Sequence, residues 1–312
     1  MLYSIIIPCY KSAKTIRSVV EMTSKEFDKM NRVPYEFVLV DDFSPDGGET
    51  IRELRAVADD YDFVTVVELA QNAGQHNAVM AGLNYAKGDV LIAMDDDGQT
   101  HPSQLPVMFE EFEKGYDIVY GYYQDKKHSA FRNFGSWMNY MAFRVLIGKP
   151  KDLKTSSFWI IRKFVRDYAI QYKSHYTHLQ GIFLRTTRNI ASVPIKHYSR
   201  MEGQSGYTFK KLLGLWSNVM GFSIVPLRVA RNLGLFLSFL SLLGAVAVVL
   251  KKLLAPTSAV GWYSMMVAIC FFSGLIMLFL GLIGEYLGRM YLGMTNNPQF
   301  VVRNIYERKG DS

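Results

Sequence analysis

The chain has 312 residues and a formal net charge of +7, and 49% of its residues are hydrophobic whereas 20% are charged. This length allows one sizeable α/β domain with an appendage, and the positive balance favours an anionic partner such as a phosphorylated substrate or a lipid headgroup. We expect no nucleic-acid partner, because the chain has no Lys/Arg-rich tract and no zinc-finger spacing. The two cysteines indicate no disulfide framework, and no signal peptide is expected.

Strand-like and helix-like runs alternate over roughly the first 125 residues. Apolar runs of strand length occupy 3–7, 35–40, 63–69, 90–94 and 116–122, and helical patterns occupy 11–30, 73–86 and 102–114, with another helix expected after the turn at 41–48. Strands that alternate with helices of this length predict a mostly parallel, doubly wound sheet.

The alternation becomes less regular beyond this region. Residues 131–147 carry apolar side chains at helical spacing, and Arg132, Ser136 and Asn139 fall on another face of the same predicted helix. Two further strands are expected, at 156–161 and 190–197.

Two apolar segments, 232–250 and 262–284, lie near the C-terminus. Each has about the 20 residues that a helix needs to cross the hydrocarbon core of a bilayer. The connection between them is too short for a domain, so the two are expected to form a hairpin. The alternative is a pair of buried helices in a soluble core.

Residues 207–231 mix Phe, Leu and Trp with basic residues, which is typical of helices that lie in a membrane interface. Basic residues before and after the apolar pair outnumber Lys251 and Lys252 in the connection, so the larger domain is predicted to lie on the cytoplasmic side. We therefore expect a multi-pass protein of the cytoplasmic membrane.

The most informative stretch is an apolar strand that ends abruptly in three carboxylates, at residues 88–99. Ligands of parallel sheets collect beyond the carboxyl ends of the strands, and Asp95 and Asp97, two apart on extended backbone, point to the same side. Two such oxygen ligands, completed by water and phosphate oxygens, suit Mg²⁺ or Mn²⁺. The alternative is a solvated acidic turn that closes the strand.

Six short motifs occur along the chain. They are Ile-Ile-Ile-Pro-Cys-Tyr at 5–10, Val-Asp-Asp-Phe-Ser-Pro-Asp-Gly at 40–47, Asn-Ala-Gly-Gln at 72–75, Met-Asp-Asp-Asp-Gly-Gln at 94–99, Arg-Met-Glu-Gly-Gln-Ser-Gly-Tyr at 200–207 and Gly-Glu-Tyr-Leu-Gly-Arg at 284–289. With these motifs in this order, the chain resembles the polyprenol-phosphate glycosyltransferases of glycosyltransferase family 2 over nearly its whole length. That group includes dolichol-phosphate mannose synthase and bacterial bactoprenol glucosyltransferases.

The resemblance implies a domain organisation. A GT-A catalytic domain, which is a Rossmann-like α/β fold with a mostly parallel sheet, would occupy residues 1–206. Interfacial amphipathic helices would follow at 207–231, a two-helix transmembrane hairpin at 232–284 and a cytoplasmic tail at 285–312. The resemblance also implies a homo-oligomer, with a tetramer as one option.

The resemblance further implies which residues bind the nucleotide. Pro8, Tyr10 and Asp42 are expected to line the nucleoside pocket, where the Asp42 carboxylate can accept a hydrogen bond from a uracil N–H. The other nucleotide-binding candidates are Asp41, Gln75, Asp95 and Asp96. For the acid pair at 41–42, the alternative is an Asx turn that leads into the next helix.

The metal ligands implied by the resemblance are Asp95 and Asp97, with Gln99 as a further oxygen ligand. The expected cofactor is Mg²⁺ or Mn²⁺, and both acids are expected to be catalytic because the ion bridges the nucleotide diphosphate. No direct metal bond is expected for Asp96.

The acceptor phosphate would be bound by Arg132, Ser136, Arg200 and Ser205, with Arg200 counted among the catalytic residues. The implied reaction is attack by a lipid phosphate oxygen on the anomeric carbon of a nucleotide sugar. A phosphate monoester has a second pKa of about 6, so the nucleophile is already anionic and needs no strong general base. Direct displacement would invert the anomeric centre.

The expected donor is a uridine diphosphate (UDP) hexose or N-acetylhexosamine, and the expected acceptor is undecaprenyl phosphate. The product would be a lipid-linked monosaccharide for modification of cell-envelope glycans. One departure concerns the sugar pocket, because Trp159 stands where relatives commonly have an arginine.

Two other functions compete with this hypothesis. A processive polysaccharide synthase of the same superfamily would carry a Gln-x-x-Arg-Trp motif and more membrane spans, and the chain has no such motif. A non-catalytic membrane adaptor would not need the acids at positions 42, 95 and 97, all of which are present.

Overall fold

The computed structural model of the chain describes residues 1–123, 150, 152–174, 177–196, 198, 225–254, 261–294 and 298–308. The strands are β1 (Tyr3–Cys9), β2 (Tyr35–Asp41), β3 (Val64–Leu69), β4 (Val90–Ala93), β5 (Ile118–Tyr123), β6 (Trp159–Arg162), β7 (Ile190–Ile195) and β8 (Val302–Glu307). The helices are α1 (Ile16–Lys29), α2 (Glu49–Asp60), α3 (Gln75–Tyr85), α4 (Leu105–Phe112), α5 (Lys163–Ala169), α6 (Leu179–Thr186), α7 (Val225–Leu254) and α8 (Trp262–Met294), and a short 3₁₀ turn (Pro102–Gln104) precedes α4.

All eight strands join one sheet in the order β7-β5-β6-β4-β1-β2-β3-β8. The central strands β4, β1, β2 and β3 run parallel, as do β5 and β7, whereas β6 and β8 are antiparallel to their neighbours. The mostly parallel α/β sheet predicted from the alternation is therefore confirmed. Because β1, β2 and β4 are parallel, their carboxyl ends lie at one edge of the sheet.

Helices cover both faces of the sheet, and the alternation of side chains along β1 shows this directly. Ile5 and Ile7 pack into the hydrophobic cluster that also contains residues of α1, α2 and α4, whereas Ile6 packs into the cluster on the opposite face, with α3, α5 and α6. All seven residues of β1 are buried. A strand buried on both faces reads as a continuous apolar run, which is the pattern seen in the sequence.

The segment predicted to be a cytoplasmic tail, residues 285–312, includes the end of α8 and a further strand. Helix α8 continues to Met294, and the chain then returns to the sheet, where β8 pairs antiparallel with β3. The backbone N–H of Ala70 donates to the carbonyl of Val301 at 2.8 Å beside this pairing, and Tyr306 packs against the core. Strand β8 thus pairs the edge of β3 that would otherwise expose unsatisfied backbone groups.

Helices α5 and α6 were not predicted from the sequence. They have seven and eight residues, which is about two turns each. A helix of two turns repeats its pattern of apolar residues too few times for the pattern to be recognised in the sequence.

The two long C-terminal helices cover the segments predicted to cross the membrane. Among the described residues, one stretch, Phe271–Gly288 in α8, is long and apolar enough to span a bilayer, and none of it is buried. The prediction of a membrane segment is thus supported for α8, and the complete two-helix hairpin stays a prediction. Of the predicted interfacial segment, residues 207–224 lie outside the described residues.

Close packing of α3 on the sheet leads to a stability prediction. A Cβ added at Gly82 would clash with the Cγ2 atom of Ile6 and lie 3.3 Å from that of Val40. We expect Gly82→Ala to lower the melting temperature of the full-length protein, because overpacking a core costs about 1–3 kcal/mol.

A matched control is Gly234→Ala in α7, where the added Cβ would meet nothing within 4 Å. This variant should unfold at the wild-type temperature or slightly above it, because alanine favours a helix more than glycine does. Equal melting temperatures for the two variants would contradict the close approach of α3 to β1.

Candidate active site

The acids singled out from the sequence lie at the carboxyl ends of β2 and β4, the two neighbours of β1 in the sheet. In the parallel registers Cys9 is level with Asp41, and Ile6 is level with Ala93. Asp41 is therefore the last residue of one strand, and the acidic run begins two residues after the end of another. This arrangement brings acids that are more than 50 residues apart in sequence to one edge of the sheet, where ligands of such folds bind.

Asp42 fixes the position of the loop that precedes α3 through hydrogen bonds to its carboxylate. Its side chain is buried, and its carboxylate accepts hydrogen bonds from the amide of Asn72 (3.1 Å) and from the backbone N–H groups of Ala73 (2.6 Å) and Gly74 (3.0 Å). Burial raises the pKa of this carboxyl, although the two backbone donors oppose the rise. The structure thus assigns Asp42 a loop-holding role, and its predicted contact with a nucleoside stays a prediction.

Asp41 closes the turn that follows β2. Its Oδ1 atom accepts hydrogen bonds from the hydroxyl (2.6 Å) and the backbone N–H (3.3 Å) of Ser44, which is the Asx turn considered above for this acid pair. Ser44 Oγ in turn accepts from the backbone N–H of Lys11 at 3.0 Å, so this turn is tied to the loop after β1.

Asp96 faces the loop after β1. Its Oδ2 atom accepts a hydrogen bond from the backbone N–H of Tyr10 at 3.1 Å and another from the hydroxyl of Ser12. Burial raises the pKa of the Asp96 carboxyl, and these two donors oppose the rise. The side chain of Tyr10 is exposed at this edge, whereas Pro8 is buried within β1.

Asp95 is held from two directions. Its Oδ1 atom accepts a hydrogen bond from the amide of Gln75 at 2.9 Å, and its Oδ2 atom accepts one from the hydroxyl of Ser157 at 2.6 Å. Its backbone N–H donates to the hydroxyl of Thr100 at 2.8 Å. Gln75 was assigned to the nucleotide from the sequence, and here it contacts a predicted metal ligand directly.

Asp97 starts the tight turn that ends the acidic run. Its Oδ1 atom accepts from the backbone N–H of Gln99 at 2.9 Å, and Gly98 between them has a φ of 76°, which is readily available to glycine. The hydroxyl of Tyr123 donates to the carbonyl of Gln99 at 3.2 Å. Burial and the charges of Asp95 and Asp97 raise the pKa of Tyr123.

Sequence reasoning missed Ser157 and Tyr123. Tyr123 is the last residue of β5, and Ser157 lies two residues before β6. Strand ends are where functional side chains are expected, but only the order of strands in the sheet shows that β6 and β5 follow β4. Trp159, by contrast, is buried and packs edge to face against Phe183 at 5.1 Å, so it belongs to the core.

The four residues predicted to bind the acceptor phosphate lie outside the described residues. They are Arg132, Ser136, Arg200 and Ser205.

The donor set at the end of β4 fits a divalent cation. Asp95 and Asp97 present carboxylate oxygens, which Mg²⁺ and Mn²⁺ prefer. Within the part of the chain that the structure describes, no group of three or more His, Cys, Asp or Glu side chains is placed to hold a metal ion. A cation bound here would therefore take its other ligands from Gln99, from water or from a bound substrate.

Comparison with known proteins identifies the family. The family model described as "Glycosyl transferase family 2" matches residues 4–179. The chain belongs to glycosyltransferase family 2. It is therefore a glycosyltransferase, as the resemblance implied.

Two relatives match the chain over almost its whole length. An undecaprenyl-phosphate 4-deoxy-4-formamido-L-arabinose transferase of Edwardsiella ictaluri (strain 93-146) is 31% identical over 97% of this chain and 93% of the relative. A transferase of the same name from Proteus mirabilis (strain HI4320) is 28% identical, again over 97% and 93% of the two chains.

Among solved structures, the chain is similar to glucosyl-3-phosphoglycerate synthase from Mycobacterium tuberculosis in complex with Mn²⁺, UDP and phosphoglyceric acid. The TM-score is 0.51 at 17% identity, and the match covers 70% of this chain and 76% of that one. At this identity the likeness shows the fold, and it confirms the predicted GT-A arrangement.

The buried acids lead to a prediction of pH dependence. Burial raises the pKa of Asp41, although its hydrogen bonds from Ser44 oppose the rise. Because its pKa is raised, the folded protein favours the protonated carboxyl of Asp41. The contribution of this carboxyl to the free energy of unfolding is complete below the ordinary aspartate pKa of about 3.9 and is lost as the pH rises through the raised value. We expect the melting temperature of Asp41→Asn, relative to the wild type, to increase between pH 4 and pH 7.

Asp46→Asn is a control of opposite sign. Although burial opposes it, hydrogen bonds from Thr50 and Gly48 lower the pKa of Asp46, so its contribution to stability is present at neutral pH and is lost on acidification. Asp46→Asn should therefore be less stable than the wild type by a constant margin between pH 4 and pH 7, and the difference should shrink only as the pH falls below about 3.9. Parallel pH profiles for the two variants would refute these assignments.

Proposed function

We propose that the chain transfers a sugar from a nucleotide sugar to undecaprenyl phosphate at the cytoplasmic face of the membrane, with inversion at the anomeric carbon. The observation that carries this proposal is the pair Asp95 and Asp97 at the carboxyl end of β4, beside the loop that Asp42 fastens. The names of the two relatives support a polyprenyl-phosphate acceptor. The Mn²⁺ and UDP in the structural neighbour support a nucleotide donor and a divalent ion.

On the donor side, Pro8, Tyr10 and Asp42 would bind the nucleoside. Asp95 and Asp97 would hold Mg²⁺ or Mn²⁺, which when bound supplies a Lewis acid that offsets the charge of the departing diphosphate. The proposed donor carries UDP, and the sugar is a hexose, an N-acetylhexosamine or the 4-deoxy-4-formamido-L-arabinose named in the relatives.

The other acids, Asp96 and Asp41, would hold the loops on this side of the site. Asp96 holds the loop that carries Tyr10, because its carboxylate accepts the Tyr10 N–H. Asp41 does the same for the turn after β2 through Ser44. These contacts restrict the loops before any ligand binds, so less conformational entropy is lost when a ligand binds.

On the acceptor side, Arg132, Ser136, Arg200 and Ser205 would hold the lipid phosphate. The phosphate oxygen is anionic at neutral pH, so what these residues supply is position and charge compensation rather than proton abstraction. The exposed apolar surface of α8 supports a site at the membrane surface, where the headgroup of the acceptor lies. A second membrane helix within 225–254 and a homo-oligomer, with a tetramer as one option, are parts of the same proposal.

Transfer of radiolabelled sugar from a panel of UDP-sugars into an organic-extractable lipid tests this function. A lipid-linked monosaccharide is the expected product. A polymer would favour a processive synthase, and no transfer with any donor would favour a non-catalytic adaptor.

Within this assay, Asp97→Ala should lower transfer at least about a hundred-fold, because the charge compensation on the leaving diphosphate is lost. The variant should still fold and remain in the membrane fraction. Asp62→Ala, an exposed acid before β3, is the control and should match the wild type. Near-normal turnover by Asp97→Ala would remove the metal assignment.

Arg200→Ala should raise the KM for undecaprenyl phosphate about ten-fold or more, since a hydrogen bond to a charged group contributes about 1.5–3 kcal/mol. The affinity for UDP, measured by calorimetry, should stay unchanged. Arg308→Ala, which removes an exposed arginine after β8, provides the comparison. An unaltered dependence on the lipid acceptor would show that Arg200 does not bind it.

A further inference from the structure

The Asp95 carboxylate lies between two hydrogen-bond donors that come from different parts of the chain. Gln75 Nε2 donates to one oxygen at 2.9 Å, and Ser157 Oγ donates to the other at 2.6 Å. Both donors are uncharged and exposed, whereas Asp95 is partly buried between them. Neither hydrogen bond is local, because the partners are 20 and 62 residues away in sequence.

The antiparallel pairing of β4 with β6 determines where Ser157 lies. Ala93 pairs with Trp159 at the end of this ladder. Antiparallel partners run in opposite directions. The residue two positions after Ala93, which is Asp95, therefore lies opposite the residue two positions before Trp159, which is Ser157. The position of Ser157 next to the acid therefore follows from strand register rather than from a flexible side chain that happens to reach it.

Backbone contacts with β5 hold the segment before β6 in place. The backbone N–H of Gly121 donates to the carbonyl of Phe158 at 3.0 Å, and the hydroxyl of Ser156 donates to the carbonyl of Gly121 at 2.5 Å. The Ser156 hydroxyl also accepts from the backbone N–H of Phe158 at 3.0 Å. Ser156 thus stabilises the backbone conformation of the segment before β6, while the hydroxyl of the next residue, Ser157, donates to Asp95.

Gln75 reaches Asp95 from the opposite side, and its position depends on Asp42. It is the first residue of α3, directly after the loop whose backbone N–H groups at Ala73 and Gly74 bond to the Asp42 carboxylate. One loop therefore connects the acid predicted to contact the nucleoside with the acid predicted to bind the metal.

We propose that Gln75 and Ser157 are positioning residues that set the orientation in which Asp95 presents its oxygens to a divalent cation. The inference rests on the proposed function. An ionised carboxylate accepts about four hydrogen bonds or ligand bonds through its two oxygens, so the hydrogen bonds from Gln75 and Ser157 are compatible with a bound cation. Groups that orient a metal ligand change metal affinity by about 10–100-fold when they are removed.

The test measures Mn²⁺ binding to the full-length protein in the presence of UDP, by calorimetry and by electron paramagnetic resonance of free Mn²⁺. We expect Ser157→Ala and Gln75→Leu each to weaken Mn²⁺ binding about ten-fold. Ser157→Thr, which keeps the hydroxyl, should restore most of the affinity.

Ser156→Ala is the matched control, because it removes the same atom one residue away. This hydroxyl bonds only to backbone groups among the contacts seen here, so its loss should lower the melting temperature while Mn²⁺ affinity stays at the wild-type value. Ser157→Ala should show the reverse, with an unchanged melting temperature and weaker Mn²⁺ binding. This split separates positioning from a general structural effect.

The outcomes distinguish the inference from the function on which it rests. Wild-type Mn²⁺ affinity in both Ser157→Ala and Gln75→Leu would overturn the positioning role and leave the proposed function intact. A wild-type protein that binds no Mn²⁺ in the presence of UDP would overturn the metal assignment, and the inference with it.

Discussion

The parallel pairing of β1 with both β2 and β4 is the constraint on which the site depends. These strands are buried on both faces, and their backbone groups must be paired within the sheet because no water reaches them. Their order and direction are thereby determined, and so is the edge at which each chain segment leaves the sheet. Acids that follow β2 and β4 emerge at that edge together.

Burying acids at this edge has an electrostatic cost, because a buried carboxylate that lacks hydrogen bonds is strongly unfavourable. The structure meets this cost with donors from neighbouring loops. Asp42 accepts backbone N–H groups from the loop before α3, Asp41 accepts from its own turn, and Asp96 accepts from the loop after β1. The same hydrogen bonds that stabilise the acids therefore hold the loops that surround the proposed nucleotide site.

The C-terminal strand joins the apolar helix α8 to this edge. Gln299 is buried and its amide donates to the carbonyl of Tyr172 at 2.7 Å. Arg303 in β8 lies 3.4 Å from Glu68 and 5.4 Å from the ring centroid of Phe43, the residue after Asp42. An exposed ion pair contributes little to stability, so the backbone ladder between β8 and β3 is what attaches this segment. The end of α8 is in this way connected to the loops on the nucleotide side.

The sequence by itself determined the α/β alternation, the strand that ends in acids and the membership of a glycosyltransferase family. These features can be recognised from local periodicity and from short motifs. It could not determine which donor faces which acid. The contacts of Asp96 with the loop after β1, of Asp42 with the loop before α3, and of Ser157 with Asp95 join residues from different strands and loops. The pairing of β8 with β3 is likewise a contact between distant segments. Only strand order and register decide such contacts, and both are set by how the whole core packs rather than by the residues next to each acid.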